Sequence, residues 1–155
     1  MIRIEDTDAA RSDQALVEPI LSALEWLGLT WDEDIVYQSK RLDLYRQKAQ
    51  EILESGHGYR CFCTPEQLEL DREEARNVKG PLQYNRRCLG LTEADIQKKL
   101  QAGEQFAIRL KIPDGETVFN DIVSGELKRQ NSEIEDFIIA RSDGTATYNL
   151  AVVVD

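Results

Sequence analysis

The sequence predicts an α/β protein in which a parallel core is interrupted by an inserted α+β stretch. Three observations lead there. A strand end at residues 1–4 is followed by two amphipathic helical patterns, short mixed elements fill residues 61–135, and a last strand candidate leads into a closing apolar run. In order, Arg3-Ile4 finishes the first strand and passes into the acidic turn Glu5-Asp6-Thr7-Asp8. Ser12 is placed to cap a helix whose Leu16, Ile20, Leu21, Leu24 and Leu27 recur at spacings of three and four. Pro19 either starts its regular part or kinks it, and Gly28 closes it. Trp26 and Trp31, on either side of Gly28, are expected to pack in the interior.

Ser39 opens a second helix, with Leu42, Tyr45, Ala49, Ile52 and Leu53 on one face and Gly56 past its end. Residues 59–63 form a short strand. Thr64-Pro65-Glu66-Gln67 then supplies an N-cap, a proline at the first helical position and a capping-box partner. Thr92 and Asp95 open another helix, ended by Gly103. Residues 106–112 alternate Phe106, Ile108, Leu110 and Ile112 with Ala107, Arg109 and Lys111, the pattern of a half-buried strand whose second set faces solvent. Turns at Pro113-Asp114-Gly115, Ser124-Gly125 and Ser142-Asp143-Gly144 separate strand candidates around Val118, around Leu127 and at 137–140. Val152, Val153 and Val154 are β-branched, so periodicity alone makes the last run a strand.

Composition limits the function classes. The 155 residues carry 19 Lys+Arg against 29 Asp+Glu, a formal net charge of −10, which argues against a nonspecific binder of polyanions. With 41% hydrophobic and 31% charged residues the chain is a globular one. No run approaches the ~20 apolar residues of a membrane span, and Met1-Ile2-Arg3-Ile4-Glu5-Asp6 has no signal-peptide pattern, so a soluble, cytoplasmic protein is expected. Three cysteines, two of them one residue apart, suit metal or reduced thiols better than a disulfide framework. Both ends read as interior sequence, a strand tail in front and an apolar run behind, which predicts a piece of a longer protein.

Three constellations could carry chemistry. Glu5, Asp6 and Asp8 lie at a strand's C-terminal end, where open α/β sheets bind ligands, and they could hold an ammonium group or a metal; the alternative is an acidic turn feeding a helix N-terminus. Cys61 and Cys63 can both reach one zinc ion, with Cys88 closing the site and Tyr84 or His57 as the open question for a fourth ligand; the alternative is three reduced cysteines packed as small hydrophobes. Tyr148, delivered by the turn at residues 142–144, is either a hydrogen-bond donor to a substrate or a buried structural tyrosine.

Taken in order, Arg3-Ile4-Glu5-Asp6-Thr7-Asp8, Trp26-Leu27-Gly28-Leu29, Gln38-Ser39-Lys40-Arg41, Tyr59-Arg60-Cys61-Phe62-Cys63-Thr64 and Arg141-Ser142-Asp143-Gly144 leading to Tyr148-Asn149-Leu150-Ala151-Val152-Val153-Val154-Asp155 resemble bacterial glutamyl-tRNA synthetases along essentially the whole chain. The resemblance implies a partial Rossmann-like class I synthetase core over residues 1–60 and 136–155, with an α+β acceptor-binding subdomain inserted at 61–135. It implies an enzyme that activates glutamate with ATP and Mg²⁺ and esterifies tRNA(Glu), in a monomeric parent with no membrane partner. By position Glu5 would take the α-ammonium of glutamate, Tyr148 would hydrogen-bond the bound amino acid, and Asp8 and Arg11 would lie near the tRNA acceptor end. Cys61, Cys63, Tyr84 and Cys88 match a structural zinc pattern seen in some of these enzymes, and the closing run becomes a helix despite its valines.

The signatures His-Ile-Gly-His and Lys-Met-Ser-Lys of such enzymes are absent from these 155 residues, which predicts that the chain alone does not activate glutamate. Catalytic residues are accordingly left unassigned. Two other readings stand beside the first: the paralogue that glutamylates queuosine in tRNA(Asp), and a zinc-stabilised binding module without catalysis.

Overall fold

The structure is a computed structural model that describes residues 1–7, 12–77 and 83–155. Strand β1 (Arg3–Ile4) pairs in parallel with β2 (Val36–Tyr37), and between them runs helix α1 (Val17–Trp26). Helix α2 (Leu42–Glu54) follows, then β3 (Gly58–Cys61), α3 (Pro65–Asn77), α4 (Glu93–Gln101), β4 (Ala107–Leu110), the hairpin β5 (Glu116–Asp121) and β6 (Gly125–Gln130), β7 (Ile138–Ala140) and α5 (Tyr148–Val154). Parallel pairing among the described residues is confined to β1 and β2, two residues each. The larger sheet, ordered β3-β4-β7, is antiparallel, so the expected parallel core is present only as this short pair.

Several local readings hold because their chemistry is local. Thr64 and Gln67 cap α3 reciprocally, the Thr64 N–H donating to Gln67 Oε1 at 3.0 Å and the Gln67 N–H to Thr64 Oγ1 at 3.3 Å. Thr92 and Asp95 do the same for α4. Gly28, Gly56 and Gly103 follow their helices at φ of +74 to +77°, the left-handed region that favours glycine.

Two helix starts differ. Asp13, one residue beyond Ser12, caps a 3-10 turn at Gln14–Leu16 by accepting the Ala15 N–H, and α1 begins only afterwards. Pro19 then falls in the first turn of α1, where its missing N–H costs nothing. Ser39 lies in a second 3-10 turn, Gln38–Arg41; its N–H and hydroxyl both donate to the buried Asp6 rather than capping α2. The packing expected of α1 is also corrected, since Leu21 is its one buried residue and Trp26 is 84% exposed.

The main core is built from α2 and α5 laid against the three-stranded sheet. Tyr45 and Ala49 of α2 meet Ile108, Ile139 and Ala140 of the sheet and Leu150 and Ala151 of α5. The closing run is therefore a helix: its β-branched residues yield to the burial of Leu150 and Ala151, tertiary packing overriding local preference. Asp155 anchors its end, accepting from Tyr45 Oη at 2.8 Å, Gln38 Nε2 at 2.9 Å and Arg41 Nη1 at 3.0 Å.

Gly58 marks the closest approach of α2 to β3. A Cβ there would lie 3.1 Å from the Arg109 carbonyl and 3.2 Å from Ile52 Cγ2, and the carbonyl is fixed in the sheet. Gly58→Ala is expected to lower stability by about 1–3 kcal/mol, the usual cost of overpacking, read as the midpoint of urea unfolding.

Candidate functional site

The opposite face of the sheet carries polar and sulfur chemistry. Tyr59 of β3 and Arg109 of β4 are direct cross-strand partners, with Cys61 two residues along β3 on the same side. Tyr84 and Cys88 come up from residues 83–91 to complete a buried cluster, flanked by Cys63, Leu68 and Leu89. Arg86, between Tyr84 and Cys88, has φ +57°, the left-handed conformation that turns this segment back on itself.

The four residues expected to hold a metal are brought together. The Sγ atoms of Cys61, Cys63 and Cys88 all lie within 4.8 Å of one another. Cys63 and Cys88 sulfurs are 3.6 Å apart, and Tyr84 Oη lies 3.5 Å from Cys61 Sγ and 3.4 Å from Cys63 Sγ. A tetrahedral ion with Zn–S bonds of about 2.3 Å holds its sulfurs about 3.8 Å apart, and a Zn–O bond of about 2.0 Å puts an oxygen about 3.5 Å from each sulfur. The cluster already has nearly those edges, so its donor set and spacing are compatible with zinc. His57 is exposed and is not among the clustered donors in the described residues.

Charge in the cluster is unevenly placed. Cys88 first, then the Arg109 guanidinium and Tyr84, hold the Cys61 thiol down at about 4 against the opposing effect of burial. The Cys88 thiol is pushed up, chiefly by its contact with Cys61, and the Tyr84 phenol is pushed up by burial and by the neighbouring thiols. The Cys88 N–H donates to Tyr84 Oη at 3.1 Å, so the oxygen keeps its lone pairs partly engaged at the cluster.

Beneath the cluster lies a feature that strand alternation misreads. Arg109 is 3% exposed, although its position predicted a solvent face, and its guanidinium stands 3.8 Å over the Tyr84 ring. Asp136, 2% exposed, accepts from Tyr59 Oη at 2.9 Å, Arg86 Nη2 at 2.8 Å and the Ile112 N–H at 3.0 Å, while its carbonyl accepts from Arg109 Nη1. An acidic residue immediately before the apolar strand Phe137-Ile138-Ile139-Ala140 was the available signal for Asp136; Arg109 had none, because its neighbours alternate normally.

At the other end of the chain the acidic turn divides. Asp6 is buried and taken by Ser39, a structural clip between β1 and the turn before α2. Glu5 is exposed and receives Arg3 Nη2 at 2.7 Å. It borders a cleft of about 300 Å³ walled by Ile4, Asp6, Val17, Ile20 and Ser39. Arg3 is held above its ordinary value by the hydrogen bond to Glu5, with smaller Coulombic support from Asp155 and Tyr148. Tyr148, 55% exposed in the first turn of α5, is outside the cleft wall, and the structural-core alternative for it does not hold. Asp8 and Arg11 lie outside the described residues.

An α/β chain with a carboxylate at a strand end and a cysteine-rich site before the return to its core has the parts of a class I synthetase catalytic region. Residues 1–155 match the family described as tRNA synthetases class I (E and Q), catalytic domain, and the chain belongs to that family. It is 48% identical over 157 residues to a glutamate-tRNA ligase of Coprothermobacter proteolyticus, covering 100% of this chain and 34% of that protein. The glutamate-tRNA ligase of Aquifex aeolicus is 47% identical over 156 residues, with 100% of this chain and 33% of that protein covered. Among solved structures, a glutamate tRNA ligase from Elizabethkingia meningosepticum in complex with its amino acid superposes with a TM-score of 0.89 at 31% identity, over 99% of this chain and 34% of that one. The chain thus spans about a third of the length of these relatives. No helix among the described residues is long and apolar enough to cross a membrane.

Proposed function

We propose that this chain is the amino-acid-binding and acceptor-positioning part of a cytoplasmic, monomeric glutamate-tRNA ligase. The observation that carries the reading is that relatives nearly half identical along all 155 residues are glutamate-tRNA ligases. In the reaction, the carboxylate of L-glutamate attacks the α-phosphorus of ATP, held with Mg²⁺, and expels pyrophosphate. A hydroxyl of the terminal adenosine of tRNA(Glu) then attacks the activated acyl carbon and releases AMP.

Within this scheme the chain's residues bind and position. Glu5 receives the α-ammonium of glutamate, exchanging its present partner Arg3 for the substrate's cation in a charge-assisted hydrogen bond. Tyr148, exposed at the start of α5, donates its hydroxyl to the bound amino acid. Asp8 and Arg11 lie toward the acceptor end of the tRNA. Residues 61–135 form the acceptor-binding insertion between core segments 1–60 and 136–155, and Cys61, Cys63, Tyr84 and Cys88 hold a structural zinc that keeps β3 and the segment around Tyr84 in register; the spacing of their donor atoms supports this assignment.

The test is glutamate-dependent ATP-pyrophosphate exchange by a full-length protein carrying these residues, with and without tRNA. Exchange that requires tRNA is expected. Exchange without tRNA would move the assignment to the queuosine-modifying paralogue, and none under either condition would leave a binding module. The 155-residue chain alone is expected to give no exchange. In the full-length protein, Glu5→Gln is expected to raise the KM for glutamate about 10- to 100-fold, since a hydrogen bond to a charged group is worth about 1.5–3 kcal/mol. An unchanged KM would remove Glu5 from the site.

A further inference from the structure

Arg109 is a buried cation whose anionic neighbours, apart from the half-exposed Glu135, belong to the cysteine cluster. It sits in the middle of β4 with 3% of its surface exposed. Its Nη1 donates to the Asp136 carbonyl, a neutral group, and reaches Glu135 at 3.4 Å, a carboxylate that is itself 42% exposed. The buried Asp136 carboxylate is occupied by Tyr59, Arg86 and the Ile112 N–H. Arg109 Nε is buried and finds no hydrogen bond of good geometry among the described residues. Taking a guanidinium out of water is unfavourable unless a compensating charge lies beside it.

That charge is directly beneath it. The guanidinium stacks at 3.8 Å on the ring of Tyr84, whose Oη touches the sulfurs of Cys61 and Cys63. A zinc ion bound by three thiolates is a net anion. We propose that Arg109 is the counter-cation of the zinc centre, a positioning residue that touches the ring of one ligand and secures Tyr84 as the fourth. The inference rests on the zinc assignment above. Two contacts converge on the phenol: the guanidinium stacks on its π face at 3.8 Å, and the Cys88 N–H steadies its oxygen from the side at 3.1 Å. A cysteine would need neither. The buried arginine and the unusual oxygen ligand thereby explain one another.

The experiment measures zinc affinity of a reduced full-length protein carrying these residues by competition with a chromophoric chelator, and the thiolate-to-metal charge-transfer band after cobalt(II) substitution. If the unaltered protein binds neither ion, the zinc assignment fails and this inference with it. If it binds, Arg109→Gln is expected to weaken zinc by about tenfold or more and to shift the cobalt band, while Arg109→Lys, which keeps the charge but loses the planar stack on Tyr84, falls between Arg109→Gln and the unaltered protein. A purely structural arginine would change the melting temperature and leave the cobalt spectrum unmoved. Arg109→Gln with unaltered zinc affinity overturns the proposal. Should Arg109→Gln not fold by far-ultraviolet circular dichroism, Arg109→Lys decides: weakened zinc with a shifted cobalt band supports the proposal, and an unaltered affinity and band overturn it.

Discussion

Asp136→Ala is expected to destabilise the protein by about 3–5 kcal/mol, because it takes the acceptor from two buried donors, each costing about 1–3 kcal/mol when left unsatisfied, and from the half-exposed Arg86. The carboxylate satisfies three donors at once: the buried Tyr59 hydroxyl, the Arg86 guanidinium and the Ile112 N–H, each within 3.0 Å. Among the described residues Tyr59 Oη and the Ile112 N–H make no other hydrogen bond, while Arg86 also reaches the Ile112 carbonyl at 3.1 Å. A domain is stable by only about 5–15 kcal/mol, so this single truncation consumes a large part of the total. Asp136→Asn keeps one carbonyl acceptor and turns its amide toward a second donor, which predicts an intermediate loss. Equilibrium urea unfolding of the two variants checks the order; a loss under 1 kcal/mol for the alanine variant would mean that water replaces the carboxylate.

Cys61→Ser is expected to have a comparable or larger effect, acting through the zinc proposed for this cluster. Structural zinc in small sites contributes on the order of 10 kcal/mol of folding free energy, and Cys61 is the most deeply buried of the three sulfurs at 2% exposure. Its loss should empty the site and disorder residues 83–91 and the start of α3, which the cluster ties to β3. The α2–α5 core, built from Tyr45, Ala49, Ile139 and Leu150, shares no residue with it and should persist. Zinc content by elemental analysis, together with thermal unfolding before and after treatment with a chelator, checks both halves. Zinc retained by the serine variant, or a melting temperature indifferent to chelation, would separate the cluster from any structural metal.

Much of this was legible from the chain. The capping pairs Thr64/Gln67 and Thr92/Asp95, the glycines at 28, 56 and 103 and the apolar face of α2 follow from chemistry spanning four or five residues, and they stand in the structure as read. The cysteine spacing likewise pointed to one cluster, and the three sulfurs and Tyr84 Oη meet. The acidic turn was read as a unit and is not one: Asp6 is spent on Ser39, leaving Glu5 to face the cleft. That division depends on residue 39 arriving beside residue 6, which no local pattern encodes.

Chemistry between chain neighbours was enough for the turns, the caps and the helix faces, and resemblance to synthetases over many positions supplied the family and the helical closing run. Tertiary structure decided what strand alternation and composition could not. It buried Arg109 over Tyr84, placed Asp136 under three donors, left Trp26 in the open and joined β3, β4 and β7 into one antiparallel sheet. The physical reason is the same in each case: burial and charge compensation are properties of what packs against a residue, and those partners come from segments tens of residues away.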